Sequence, residues 1–496
     1  MLVTTSPTPD EAALRRLAVG TLMPGFVGTT VPAWVAREYA AGLAAVCVYG
    51  ANVVGPEQLG RLCAQLRAMA PDVVVAVDEE GGDVTRVHYP TGSDQPGNAV
   101  LGRLDDMDLT RASAAAIGRE LTSYGITLDL APVVDVNSAP DNPVIGVRSF
   151  GSDPGHVSRH AVAAVAGLQG EGVAACAKHF PGHGDTVTDS HLSLPRVDAP
   201  VEVLEQRELA PFRAVVAAGV ACVMTSHVIV SAIDAARPAT FSPLLLRDVL
   251  RGRLGFEGVI VSDALDMAGA SAETGIPEAA VRALAAGCDL LCTGSQTTEE
   301  GYLAVVDAVV AAAVSGRLDA GRLTDAAERV QRLRSTFAPH PLGGEVAGGG
   351  SAGLWGAGVV EQSFVIGDRA REWLADTAAP VVVQVGSDPN LAVGGVAWGP
   401  RSVGPTTAEQ DVPATSKVAV VGRGLAATHP AWSVADRLRS QGHTVMVVEC
   451  GWPRGGADVV TWGGSPPVAH ALLRVLGVTA VDGDHGASAV GDGRVG

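Results

Sequence analysis

The chain has 496 residues, 47% of them hydrophobic and 18% charged, so it can bury a substantial core in one large domain and a smaller one. Its formal net charge of −18 argues against a nucleic-acid-binding protein, because a phosphate-binding face would have to be a local exception. Residues 1–20 lack the apolar run and cleavage site of a signal peptide, and no apolar stretch reaches the length of a membrane span. The sequence therefore predicts a cytoplasmic protein with no membrane or nucleic-acid partner.

Cysteine and lysine usage adds two expectations. The seven cysteines are scattered through apolar segments without a CxxC pair, which predicts buried, reduced thiols. Of the 35 lysines and arginines, only Lys178 and Lys417 are lysines. A lysine kept in such an arginine-rich chain indicates a position that needs a compact, flexible ammonium group.

Eight short apolar runs alternate with helix-like segments, at 18–26, 42–50, 73–80, 125–136, 173–182, 220–228, 258–265 and 288–294. Helical signals include Pro32 at the start of one segment, Gly125 at the end of another, and Ser242 with Pro243 before a third. Near-continuous apolar strands between helices predict a parallel sheet covered on both faces. Eight such units predict an α/β fold with a closed (β/α)8 barrel of the TIM type. An open doubly wound sheet is the alternative.

The rest of the chain predicts a second domain. A final amphipathic helix at 317–337 completes a barrel domain over residues 1–338, and the glycine-rich segment 339–358 is typical of a linker. A smaller C-terminal α/β domain is predicted over 359–477. It contains three apolar runs, at 381–386, 417–422 and 444–449, and one helix at 432–440. Residues 478–496, rich in Gly and Asp, are expected to form a poorly ordered tail.

Polar side chains follow several apolar runs at their carboxyl ends, which is the face where such barrels place active sites. These residues are Asp78, Lys178, His179, His227 and Asp263. The segments 137–152 and 181–195 are long and rich in Gly, Pro, Asp and His, as functional loops are. The sequence thus predicts an active site at this face of the barrel.

The densest cluster of reactive groups is KHFPGHGDTVTDSH at 178–191. Within it, Asp189 and His191 stand two residues apart, so a local turn can bring the carboxylate to one ring nitrogen of the imidazole. That contact fixes the tautomer and favours the charged imidazole, which suits proton transfer near neutral pH. The same cluster offers zinc ligands, but its spacing is not that of an HExxH site and the ammonium of Lys178 would oppose a cation.

Two aspartates have several possible roles. Asp263 closes the run GVIVS before ALDM, where a carboxylate can bind a metal, cap the next helix or act as a nucleophile. Asp78, in VAVDEEGGDVTR, can likewise belong to the active site, or it can cap a helix or form an ion pair with Arg86.

Four motifs in chain order resemble those of glycoside hydrolase family 3, in its bacterial β-N-acetylglucosaminidase branch. They are DEEGGDVTR at 78–86, IGVRSF at 145–150, KHFPGHGDTVTDSH at 178–191 and SDALDM at 262–267. The resemblance, which covers roughly residues 15–335, implies that Asp263 is the nucleophile, that His191 is the general acid/base and that Asp189 is the partner of His191. It also implies a set of residues that hold the sugar beside the cleaved bond: Asp78, Arg86, Arg148, Lys178 and His179. It implies no metal and no other cofactor.

The reaction so implied is retaining hydrolysis of a small carbohydrate that contains N-acetylglucosamine, such as muropeptide fragments in cell-wall recycling. A neutral imidazole does not repel an anion as a carboxylate would, so His191 leaves open phosphate as the acceptor and hence a phosphorylase. The remaining alternatives are a metal-dependent barrel hydrolase and a non-catalytic sugar-binding barrel.

Two residues depart from the family's pattern. Asp83 follows Gly81 and Gly82 where a basic residue is usual, and Ala264 stands where an acidic residue is commoner. In the C-terminal domain, Gly422-Arg423-Gly424 resembles half of a nucleotide-binding turn, but a tight strand-to-helix turn is the favoured interpretation. That domain either packs beside the barrel mouth or helps to dimerise.

Overall fold

The computed structural model describes residues 10–186, 194–338, 353–387 and 392–479. Asp189 and His191, most of the linker predicted at 339–358 and nearly all of the tail predicted at 478–496 lie outside the described residues.

Eight parallel strands form a closed barrel, as the sequence predicted. The barrel strands are β1 (Leu22–Met23), β2 (Ala45–Val48), β3 (Val74–Val77), β4 (Leu128–Asp129), β5 (Ala174–Phe180), β7 (Cys222–Thr225), β9 (Val259–Val261) and β10 (Leu291–Cys292). Six of them pair in the order β2-β3-β4-β5-β7-β9, and β1 pairs with β10. A bridge between Val261 and Leu290 and a 3.0 Å hydrogen bond from the Cys47 amide to the Pro24 carbonyl close the ring. Two short strands outside the barrel, β6 (Arg196–Val197) and β8 (Ile229–Val230), pair with each other.

Helices between the strands cover the barrel. They are α1 (Glu11–Val19), α2 (Ala33–Ala41), α3 (Pro56–Met69), α4 (Asn98–Leu104), α5 (Met107–Tyr124), α6 (Pro154–Gly170), α7 (Val201–Gln206), α8 (Leu209–Ala217), α9 (Ala268–Ser271), α10 (Gly275–Ala286), α11 (Glu299–Val314) and α12 (Ala320–Thr336). The segment after Ser242 and Pro243 is a π-helix over Leu244–Arg253. Helix α5 ends at Gly125, as expected, with a φ of 77°, and at its start Asp106 accepts hydrogen bonds from the first-turn amides.

The barrel strands are buried on both faces, which is why their sequences read as continuous apolar runs. In β2, Val46 and Val48 pack into the large core beneath the helices, whereas Ala45 and Cys47 pack into a smaller cluster inside the barrel. All seven cysteines are buried and free, which confirms the prediction from their spacing.

The second sheet has the order β11-β15-β14-β13-β12. Its strands are β11 (Val365–Ile366), β12 (Val381–Gln384), β13 (Lys417–Gly422), β14 (Thr444–Glu449) and β15 (Val459–Val460), and only β11 runs antiparallel to its neighbour. Helices α13 (Asp368–Ala375), α14 (Pro430–Ser440) and α15 (Pro466–Leu476) accompany it. Across the described residues no helix is both long and apolar enough to cross a membrane.

The glycine turn after β13 is closed by the chain itself. The carboxylate of Glu449 accepts the amides of Gly424 at 2.7 Å and of Leu425 at 2.6 Å. Helix α14 begins only at Pro430. Because a side chain of the same domain already occupies these amides, the turn is structural, as the sequence favoured.

The second sheet packs beside the barrel mouth, a placement that the sequence left undecided. Asp83 is buried, accepts the Gly464 amide at 3.0 Å and lies 3.5 Å from the guanidinium of Arg423. The acidic residue that departs from the family's pattern is therefore an anchor between the two parts of the chain. Its charge is balanced by Arg423 and does not compete with Arg86.

Candidate active site

A cavity of about 640 Å³ opens at the carboxyl ends of the barrel strands. That size is ample for a small ligand. Six residues singled out in the sequence line it together: Asp78, Arg86, Arg148, Lys178, His179 and Asp263. Apolar side chains, Leu130, Val144, Met224 and Met267, form part of its wall. The structure thus brings these six residues together at the face the barrel topology predicts, whereas His227, which the sequence also placed there, does not line the cavity.

Lys178 connects the cavity to two carboxylates. Its ammonium lies 2.7 Å from Asp78 Oδ1 and 2.7 Å from Glu80 Oε1. Burial alone would lower the pKa of Lys178, but these two charges raise it above its usual range. The side chain therefore carries a fixed positive charge at the floor of the cavity, next to the partly exposed carboxylate of Asp78.

Glu80, which the sequence did not single out, holds two cations in place. Its carboxylate accepts two hydrogen bonds from Arg148, at 2.9 Å from Nε and 2.8 Å from a terminal nitrogen, as well as the contact from Lys178. Burial would raise the pKa of Glu80, but the charges of Arg148 and Lys178 outweigh it and hold that pKa well below its usual range. A forked pair of this kind fixes the plane of the guanidinium.

Asp135 was also missed, and it orients His179. Nδ1 of His179 lies 2.7 Å from Asp135 Oδ2, and Nε2 lies 3.3 Å from a terminal nitrogen of Arg148. Because a guanidinium can only donate, Nε2 accepts and the ring proton sits on Nδ1. The other carboxylate oxygen of Asp135 accepts the His183 amide at 2.7 Å. One buried aspartate thus positions both histidines of the KHFPGH segment.

Asp263 stands just beyond β9. Its Oδ1 accepts the amide of the next residue, Ala264, at 2.8 Å. The following helix, α9, begins five residues later and has Met267 at its cap position, so Asp263 does not cap it. Buried His227 lies behind this turn, with Nε2 3.0 Å from the Ala264 carbonyl and Nδ1 2.9 Å from the Thr240 hydroxyl. His227, a predicted site candidate, therefore supports the turn that presents Asp263.

Within the DEEGGDVTR segment, Glu79 shapes the loop that carries Arg86 to the cavity. Glu79 Oε2 accepts the Thr85 hydroxyl at 2.8 Å and the Arg86 amide at 2.9 Å, which fixes the curve of the loop. Gly82 lies there with a φ of 65°, and a Cβ at this position would meet Gly97 Cα at 2.6 Å. Arg86 lines the cavity and also donates to the Ala392 carbonyl at 2.6 Å, so the second domain contributes to the cavity's edge.

Side-chain contacts fix the first residues of the loop that leads to His191. The Thr186 hydroxyl lies 2.8 Å from His183 Nδ1, and burial lowers the pKa of His183 to about 4. Asp185 lies 2.5 Å from Arg207. Among the described residues, two groups of side chains have the spacing of metal ligands, and neither belongs to the 178–186 part of this cluster.

Comparison with known proteins identifies the family to which the chain is similar. A family model described as the glycosyl hydrolase family 3 N terminal domain matches residues 29–333. A beta-hexosaminidase of Chromobacterium violaceum is 39% identical over 300 residues, which is 59% of this chain and 83% of the relative. Beta-hexosaminidase A of Pseudoalteromonas piscicida is 38% identical over 265 residues, 49% of this chain but only 44% of that longer relative.

Solved structures agree with the sequence match. A glycoside hydrolase family 3 beta-N-acetylglucosaminidase from Paenibacillus sp. FPU-7 superposes with a TM-score of 0.82 at 30% identity, covering 94% of this chain and 98% of that one. NagZ of Neisseria gonorrhoeae, solved in complex with N-trifluoroacetyl-D-glucosamine, gives a TM-score of 0.55 at 30% identity, covering 69% of this chain and 96% of its own. With the barrel, the cavity and the four motifs in agreement, the chain belongs to glycoside hydrolase family 3.

Proposed function

We propose that this enzyme is a retaining β-N-acetylglucosaminidase, which releases terminal β-linked N-acetylglucosamine through a covalent glycosyl-enzyme. The observation that carries the proposal is the position of Asp263, which lines the same cavity as Asp78, Lys178 and His179. A nucleophile must face the sugar that the polar cluster binds, and a carboxylate at the mouth of the barrel meets that requirement.

In the first step, a carboxylate oxygen of Asp263 attacks the anomeric carbon. The bond between that carbon and the leaving oxygen breaks, and His191 transfers its proton to the leaving oxygen. In the second step, water attacks the same carbon, His191 takes the proton from water and the bond to Asp263 breaks. Asp189 serves as the hydrogen-bond partner that sets the tautomer of His191. The roles of His191 and Asp189 rest on the motif, because both lie outside the described residues.

The sugar-binding role falls to the polar cluster. Asp78 offers acceptor oxygens to hydroxyl groups, and Lys178 and Arg148 offer donors whose positions are fixed by Glu80. Nδ1 of His179 is committed to Asp135, so the ring edge with Nε2, beside Arg148, is the one available to the sugar. The apolar wall of Met224, Leu130 and Val144 suits a methyl group such as that of an N-acetyl substituent.

The relatives support the choice of sugar. Curated relatives carry the name beta-hexosaminidase, and one solved relative holds an N-acylated glucosamine analogue. Muropeptide fragments as the natural substrate, and a cytoplasmic setting for their turnover, remain predictions from the resemblance. Phosphate as an alternative acceptor remains a prediction from the imidazole of His191, which does not repel an anion as a carboxylate would.

The test uses 4-nitrophenyl N-acetyl-β-glucosaminide and 4-nitrophenyl β-glucoside, each with and without phosphate. We expect turnover of the first substrate, release of the β-anomer seen by NMR before mutarotation, and loss of activity in both Asp263→Ala and His191→Ala. Glucoside preference would overturn the sugar assignment, and a sugar 1-phosphate product would make phosphate the acceptor. Full turnover in both variants would refute the assignment of nucleophile and acid/base.

A further inference from the structure

We propose that Asp105, His156 and His160 form a binding site for a divalent transition-metal ion of the zinc type, away from the catalytic cavity. The three side chains come from two helices. Asp105 follows the last residue of α4, whereas His156 and His160 lie one turn apart on α6 and present their rings on one face. Their ligand atoms all lie within 4.8 Å of one another.

The two distances from Asp105 to the histidine nitrogens are close to those of a tetrahedral site. Asp105 Oδ1 lies 3.3 Å from His156 Nδ1 and 3.6 Å from His160 Nε2. Zinc bonds of about 2.0–2.1 Å to nitrogen and oxygen put neighbouring ligands of a tetrahedron about 3.3–3.4 Å apart. Three protein ligands with this spacing leave the fourth position to water.

The burial of His160 also points to a bound ligand. Its ring is fully buried, and Nε2 has no hydrogen-bond partner among the described residues. At 3.6 Å, the Asp105 oxygen is too far away to be one. A buried ring nitrogen without a partner is costly unless something binds it.

The tautomer of His160 makes Nε2 a lone-pair donor to a metal. The Thr110 hydroxyl donates its single proton to the Asp106 carbonyl at 3.0 Å, so it can only accept from His160 Nδ1 at 2.8 Å. The ring proton therefore sits on Nδ1, and the unprotonated Nε2 faces the carboxylate. This is the arrangement of metal-binding histidines, whose second ring nitrogen donates to a protein oxygen.

One charged neighbour competes for the site. The guanidinium of Arg159 lies 3.7 Å from Asp105 Oδ1 and 3.4 Å from His156 Nδ1. Its side chain is more than half exposed, so it can turn into solvent when a cation binds. The second group with metal-ligand spacing, His88, Asp94 and Glu120, differs because His88 and Glu120 already pair at 3.0 Å.

The test uses the full chain, purified without a histidine tag, stripped with a chelator and titrated with zinc chloride by calorimetry. We expect one zinc equivalent that weakens at least tenfold in both Asp105→Asn and His156→Ala. Asparagine keeps the left-handed backbone of Asp105, whose φ is 51°, so that variant removes the charge alone. Arg159→Ala should bind zinc about threefold more tightly, because a competing positive charge is gone.

His88→Ala is the matched control and should bind zinc as the wild type does. A wild type that binds no zinc would overturn the proposal. So would isotherms of Asp105→Asn and His156→Ala that coincide with that of the wild type. If the wild type binds two equivalents of zinc and both variants bind one, the retained equivalent belongs to another site and the lost one to the proposed site. If both variants retain both equivalents, the proposal is wrong.

Discussion

The carboxylate of Asp135 holds His179 through Nδ1 at 2.7 Å and holds the His183 amide at 2.7 Å through its other oxygen. Replacing it by asparagine turns one acceptor oxygen into a donor that faces another donor. We expect Asp135→Asn to lower kcat/KM about 10- to 100-fold, as the loss of a hydrogen bond to a charged group does. Steady-state kinetics on the aryl N-acetylglucosaminide measure the effect.

If Asp135 acts through His179, the double variant Asp135→Asn/His179→Ala should be no slower than His179→Ala alone. Additive losses in that cycle would mean that Asp135 supports activity by another route.

Lys178 and Lys417 allow a matched test of why the chain keeps two lysines. Lys178 fits its ammonium between Asp78 and Glu80, where a planar guanidinium is wider and places its donors differently. We expect Lys178→Arg to reduce kcat/KM about 100-fold, or about 2.7 kcal/mol of transition-state stabilisation. The ammonium of Lys417 lies 4.1 Å from the centre of the Trp373 ring, a contact that arginine also makes. Lys417→Arg should leave turnover within about twofold, and equal losses in both would contradict the argument.

The barrel and the positions of Asp78, Lys178 and Asp263 could be predicted because each depends on local pattern. Continuous apolar strands between capped helices determine the fold, and residues just after a strand lie at its carboxyl end. The same reasoning found β12, β13 and β14, whose apolar runs are four to six residues long. It missed β11 and β15, which have two residues each and are recognisable only by their pairing.

Glu80, Asp135 and Asp83 could not be assigned because their partners are distant in sequence. Glu80 meets Arg148 across 68 positions, Asp135 meets His179 across 44, and Asp83 meets Gly464 across 381. The visible signal for Glu80 was the run of three acidic residues before two glycines, more charge than a turn requires. For Asp135 it was a carboxylate inside an otherwise apolar strand segment.

Asp83 is expected to hold the second domain on the barrel. Asp83→Ala leaves the Gly464 amide and the largely buried guanidinium of Arg423 without this acceptor. The expected loss in the free energy of unfolding is about 2–4 kcal/mol, measured by urea denaturation. Asp141→Ala is the control, because Asp141 is exposed and its contact with Arg454 is long, at 4.0 Å. This variant should lose less than about 0.5 kcal/mol of the free energy of unfolding. Equal midpoints for the two variants would rule out an anchoring role.

His88 and Glu120 predict a pH dependence of stability. Burial would lower the pKa of His88, but the hydrogen bond and charge of Glu120 raise it to about 9. The folded state therefore binds a proton that the unfolded state releases at about pH 6.5, so this stabilisation is complete below pH 6.5 and is lost as the pH rises through 9. Its size is on the order of 2–3 kcal/mol.

The measurement is the free energy of unfolding of the wild type and of His88→Gln from pH 6 to about 9.5. The difference between the two should shrink as the pH rises. Parallel curves over this window would show that the pair does not hold the extra proton.

Gly184 tests whether the loop towards His191 must start from a fixed place. A Cβ at this position would lie 1.7 Å from the Val136 carbonyl oxygen, so alanine must push two backbone segments apart. We expect Gly184→Ala to destabilise the fold by about 1–3 kcal/mol and to lower kcat at least tenfold, because His191, the proposed acid/base, follows seven residues later. Gly170→Ala, at the end of α6 with nothing within 4 Å, should instead be neutral or stabilising by up to about 1 kcal/mol. An unchanged kcat in a folded Gly184→Ala variant would show that proton transfer does not depend on where this loop starts.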